Sequence, residues 1–134
     1  MDEFELYVGL AEAFGKLKTK EAIPFLIKNI SLQRGTPSPN IWMKAPRAIE
    51  LRLPAVFALI QIGPEASKML IRAPREELMD EDRLAAIFVV SRIPGVPEAR
   101  EFVASAFGDP NGEYHWEYER YWVKECLKVI DGRR

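Results

Sequence analysis

The chain has 134 residues, 48% of them hydrophobic and 29% charged, with 19 Lys and Arg against 20 Asp and Glu for a net charge of -1. That length suits one domain able to bury roughly 68% of its unfolded surface, and the charge balance excludes an overall field that would attract nucleic acid or an anionic membrane. A single cysteine, Cys126, excludes an internal disulfide, and no apolar run reaches the ~18 residues needed to span a bilayer.

The opening, MDEFELYVGLAEAF, is acidic where a signal peptide is basic, so the expected setting is soluble and cytoplasmic. Leu6, Leu10, Ala13, Phe14 and Leu17 fall at helical spacing and predict a first helix over about Glu3–Lys16, buried along that stripe. Lys18-Thr19-Lys20 breaks it, with Thr19 as an N-cap. The second helix, EAIPFLIKNI, is expected to bury Ala22, Phe25, Leu26 and Ile30. It accommodates Pro24 near its first turn, where backbone N–H groups lack partners anyway. Together these make a hairpin over about 4–30. Ser31–Pro46 then holds three prolines and a glycine, and so cannot be regular helix. Connections this long are often functional. The Ile41-Trp42-Met43 cluster is too apolar for a free linker and is expected to be pinned down.

A second hairpin is expected over about 47–72. From Ile49 to Ile62 only Glu50, Arg52 and Gln61 are strongly polar, which predicts a helix covered on several sides and kinked at Pro54. Gly63-Pro64 is the hinge into its partner helix. A third hairpin, about 80–107, starts at Asp80 as N-cap and is again apolar on most sides through Ile93. After Pro94-Gly95-Val96-Pro97 it continues in a shorter helix expected to bury Ala99, Phe102, Val103, Ala106 and Phe107. The GDPNG turn leads to a final helix over about 116–130. There Tyr118, Trp122, Cys126, Val129 and Ile130 share an arc with Val123 and Leu127 at its far side, interrupted only by Glu119. Glu117, Arg120, Lys124 and Lys128 take the opposite face. That arc exceeds what one neighbouring helix pair covers. Trp122 is the residue expected to stay uncovered, unless the Ser31–Pro46 or Tyr114–Trp116 loop folds over it. A partner or a weak homodimer through this helix is the favoured outcome.

The hairpins align on their turns. Glu21-Ala22, Glu65-Ala66 and Glu98-Ala99 follow the breaks, and Leu17, Ile62, Ile93 and Ile130 close the preceding helices. Phrases such as LPAVFALIQIGPEASKML and LAAIFVVSRIPGVPEAREFV resemble HEAT repeats of the short bacterial type named after phycobilisome lyases. The resemblance covers nearly the whole chain. It implies an all-α, right-handed superhelical solenoid of three hairpins and a capping helix, with second helices on the concave side. It says little about function.

Among chemistry-bearing residues, His115 is the only histidine and is expected to lie in a surface loop. Cys126 takes a small core position and is expected to be inert. The run Glu76, Glu77, Asp80, Glu81, Asp82 lacks EF-hand spacing and reads as a solvated helix start. No phosphate loop, GxSxG or HExxH is present, and no cofactor or metal site is expected. Two surfaces remain. Aligned in register, the second helices place Ile23, Ser67 and Arg100 in one row and Pro24, Lys68 and Glu101 in the next. Ile27, Ile71 and Ala104 form a third, and Lys28, Arg72 and Ser105 a fourth, all pointing away from Ala22, Ala66 and Ala99. The outcome is either a mildly basic strip suited to an acidic peptide or partner helix, with Lys28, Lys68, Arg72 and Arg100 as its cations, or an ordinary solvated face. The aromatic set Trp42, Met43, Tyr114, His115 and Trp116, on one edge, either forms a contact site or packs together and seals the core. The expected function is a non-enzymatic module that binds a protein or peptide. The rivals are a bilin-lyase-type enzyme, suggested by the family name, and a nucleic-acid-binding HEAT protein, which Glu101 and the net charge oppose.

Overall fold

The computed structural model describes residues 3–35, 41–73, 80–106 and 117–132. Among these residues every regular element is helical. In chain order they are α1 (Glu3–Leu17), a 3-10 turn (Lys20–Ala22), α2 (Ile23–Lys28), a second 3-10 turn (Ile41–Met43), α3 (Pro46–Arg52), α4 (Pro54–Ile62), α5 (Pro64–Arg72), α6 (Asp80–Arg92), α7 (Ala99–Ala104) and α8 (Glu117–Asp131). Among the described residues no helix is long and apolar enough to cross a membrane.

Proline starts three of these helices and is the second residue of α2, because a missing N–H costs nothing in a first turn. This corrects the expectation of one kinked helix over 49–62. Pro54 drives Leu53 out of helical geometry, to φ -120 and ψ 89, so α3 ends and α4 begins there. The hydrogen-bond ladders meet at Leu53 without crossing it: its N–H donates to Ile49 O, closing α3, and its carbonyl accepts from Phe57 N–H, opening α4, both at 3.1 Å. The hinge after α4 is as expected. Gly63 sits at φ 96, a region that side chains disfavour, and Pro64 opens α5.

The helices pack in two rows. One runs α1, α4, α6, α8 and the other α2, α5, α7, each helix touching the next in its row, with α4 against α5 and α6 against α7 between rows. Helix α6 lies deepest: Leu84 through Ser91 are all buried, as expected for a helix apolar on most sides. Ala55, Val56, Ala58, Leu59 and Ile62 of α4 form the adjoining core. Each fully buried leucine or isoleucine contributes about 1.5–3 kcal/mol over its exposed state.

Helix α1 docks on a face other than the expected one. Tyr7, Ala11 and Gly15 are its buried residues, whereas Leu6, Leu10, Ala13 and Leu17 are exposed. Gly15 explains the choice. A Cβ there would lie 2.8 Å from Ala58 Cα, so the missing side chain lets the α1 and α4 backbones cross closely. Tyr7 then reaches α2's end, its hydroxyl donating to Asn29 O at 3.0 Å, and burial raises its phenol pKa. In α2, Ala22, Leu26 and Ile30 are buried as expected. Phe25 is 37% exposed, and Ile23 takes the interior instead. The short helix α7 buries Ala99, Val103 and Ala106 and half-buries Phe102; Phe107 lies outside the described residues.

Candidate functional site

The α2–α5 contact forms a groove that gathers part of the expected strip. From α2, Pro24, Ile27 and Lys28 line it; from α5 and just after, Met69, Arg72 and Ala73; Asp82 of α6 completes it. The two helices contribute the same i, i+3, i+4 pattern, so three side chains per helix share one face. Ile27 and Met69 are half-buried against the core, and Lys28 and Arg72 are exposed above them. The lining therefore offers an apolar floor under two cations and one carboxylate. Met69 and Ala73 were absent from the expected site because the α5 side of the groove is lined by Met69, Arg72 and Ala73, where the aligned rows had placed Lys68, Ile71 and Arg72. The i, i+3, i+4 spacing around Arg72 was the signal that would have found them.

The remaining strip residues do not join this groove. Ile23 and Ser67 are fully buried, which corrects their placement on an outward row. Ser67 Oγ has no hydrogen-bond partner. Lys68 is engaged with Glu65 of its own helix at 3.6 Å. Ile71 is half-buried on the core. Arg100 forms a two-point contact with Asp131 of α8, Nε to Oδ1 at 3.0 Å and Nη2 to Oδ2 at 3.4 Å, and this pairing raises its pKa further. Of the four cations of the expected mildly basic strip, Lys28 and Arg72 line this groove.

Of the edge aromatic set only the Trp42 side chain is described, and it packs into the core. Ile41 and Trp42 are buried, so the long connection is pinned down. Trp42 meets Trp122 edge-on, with centroids 5.5 Å apart, and Trp122 stacks on Phe88 at 5.9 Å with the planes 7° apart. Trp122 Nε1–H donates to Leu84 O at 3.0 Å. The Arg92 guanidinium lies 3.8 Å from the Phe88 ring centroid and donates to Ser91 Oγ at 2.8 Å. Trp122 is only 5% exposed, which corrects the expectation that it stays uncovered. Trp122, the residue that motivated a dimer through α8, is in contact with the chain's own Trp42. Glu119, expected as an interruption of the arc, is itself fully buried. Tyr114, His115 and Trp116 lie outside the described residues, as do Glu76, Glu77 and the GDPNG turn.

Cys126 is buried, and that burial pushes its thiol up to about 11, against the lowering influence of Ser91 and Arg92 beside it. A protonated buried thiol is a poor nucleophile. Among the described residues no group of three His, Cys, Asp or Glu is arranged to hold a metal. A second concavity lies between α1 and α3–α4, with Leu51, Pro54 and Phe57 as floor and Gln61 beneath. Its charges are mixed, and Arg34 Nη2 bridges it to Glu12 Oε1 at 2.6 Å. No family model matches the chain, nor does any curated protein or solved structure.

Proposed function

We propose that this chain is a HEAT-like helical-repeat module, not an enzyme, that binds a protein or peptide in the groove between α2 and α5. The observation that carries this reading is the convergence of Ile27, Lys28 and Arg72 with Met69 in one groove. The two rows of helices, in which each hairpin contacts the next, support a stack of such repeats. The partner segment would bring an apolar anchor for Ile27 and Met69 and carboxylates for Lys28 and Arg72. Methionine suits such a floor because its unbranched side chain adapts to different anchors. Asp82 at the groove's edge sets the polarity of the bound segment by repelling a carboxylate placed over it.

The test is binding of fluorescein-labelled amphipathic peptides built from leucine and glutamate, followed by anisotropy at two salt concentrations. Binding to the wild-type chain should weaken with salt and fall at least about tenfold in Lys28→Glu/Arg72→Glu, a loss of about 1.4 kcal/mol or more. Equal binding by wild type and variant would remove the groove from consideration.

A further inference from the structure

Helix α1 carries two apolar faces, and the fold covers one of them. Tyr7, Ala11 and Gly15 turn toward α4, whereas Leu6 is 54%, Leu10 39% and Leu17 76% exposed, with Ala13 exposed between them. The spacing i, i+4, i+7, i+11 is the a/d seam of a coiled coil. Leucines scattered singly over a surface need no explanation. Three on one seam do, and Phe25 and Leu32 widen the same patch around a shallow groove beside Leu6 and Leu10.

Gly9 adds an independent observation. It stands exposed in mid-helix, where glycine weakens the helix, and a Cβ built on it meets nothing within 4 Å. Gly15 repays its cost inside the chain by admitting α4. Among the described residues nothing uses the missing side chain of Gly9. It lies one turn from Ala13 beside the leucine seam, and such a pair of small residues allows another helix backbone to approach closely.

We propose that α1 pairs antiparallel with α1 of a second copy of this chain about a twofold axis. The seam is self-complementary in that arrangement. Leu6 meets Leu17 of the second copy and Leu10 meets Ala13, large against small, and the axis repeats both contacts. The charges agree. Exposed Glu3 and Glu5 begin the helix, and exposed Lys16 ends it, followed by Lys18 and Lys20. Antiparallel pairing sets each acidic end against a basic one, whereas parallel pairing would set like against like. This surface is separate from the α2–α5 groove, so either reading can fail without the other.

Sedimentation equilibrium from low micromolar to near-millimolar concentration tests it. The wild type should dimerise, and Gly9→Leu and Leu10→Glu should each weaken the dimer at least about tenfold. Gly9→Leu distinguishes pairing from folding, because its side chain enters open space: the dilute monomer should melt in urea at the wild-type midpoint or above. Glu5→Lys and Lys16→Glu should each weaken association, and the double variant should regain it. Under oxidation, an equimolar mixture of Leu6→Cys and Leu17→Cys should cross-link, and neither should alone. A wild type monomeric throughout, or a Gly9→Leu dimer as tight as wild type, overturns the proposal. Cross-linking of Leu6→Cys by itself overturns the antiparallel arrangement.

Discussion

The two ends of the α1–α4–α6–α8 row dispose of surplus apolar surface in opposite ways. At the α8 end, Trp122, Val123 and Cys126 are buried and Trp42 reaches over from the long connection to close the seam, leaving Arg120, Tyr121, Lys124 and Lys128 outside. At the α1 end nothing in the described chain covers Leu6, Leu10 and Leu17. Helix α8 turns a mostly polar face outward, and α1 does not. Both helices are amphipathic, α8 more strongly than α1. What differs is whether a distant segment folds back.

The largest expected effect breaks that comparison at its covered end. Trp122→Ala removes a stacked ring, an edge contact and a hydrogen bond from a filled site, and should cost about 3–5 kcal/mol in a urea melt. Leu6→Ala and Leu17→Ala at the other end should stay within about 0.5 kcal/mol in the dilute chain. Losses of similar size at both ends would mean that the exposed seam is covered after all.

The two glycines of α1 sharpen the contrast within one helix. Gly15→Ala forces a methyl group against Ala58 Cα, which as backbone cannot step aside, and should cost about 1–3 kcal/mol despite the better helix former. Gly9→Ala meets open space and should gain up to about 1 kcal/mol in the dilute chain. The same substitution thus has opposite signs six residues apart, readable from two midpoints.

Cys126 tests the covered end by pH. Its folded thiol is raised to about 11 from an ordinary value near 9. Above pH 9 the unfolded chain therefore loses a proton that the folded chain keeps, and stability declines as pH rises. The decline attributable to this thiol reaches at most about 1.4 kcal/mol per pH unit between pH 9 and 11, and Cys126→Ala should remove it. Below pH 9 the two proteins should show the same pH dependence. Smallest of all, Lys28→Glu/Arg72→Glu should move the melt by less than about 0.5 kcal/mol, since both side chains are exposed.

Much of the fold was legible because its signals are local. Gly63-Pro64, the all-round apolar run Leu84–Val90 and the apolar Ile41-Trp42 pair each state a backbone or burial requirement that no neighbour has to supply. The break at Pro54 was visible as a proline but not as a helix end, since whether a kink opens into two helices depends on what the flanking turns pack against. The groove was half legible. Lys28 and Arg72 were found by aligning helices, while Met69 and Ala73 were missed because aligning the helices on their turns set the α5 face one residue off, although the spacing around Arg72 carries the signal.

The sequence by itself determined that this chain is helical, where most turns fall, and that its middle helices are buried on nearly every side. Hydrophobic periodicity and proline position act within a few residues and need no partner. Only the tertiary structure decided which apolar face of α1 is covered, that Trp42 closes over Trp122, and which cations share a groove. Those outcomes turn on close approach at Gly15 and on a contact between residues 80 positions apart in the chain, Trp42 and Trp122. Such contacts are selected by fit among faces of similar hydrophobicity, and fit is a property of the assembled helices.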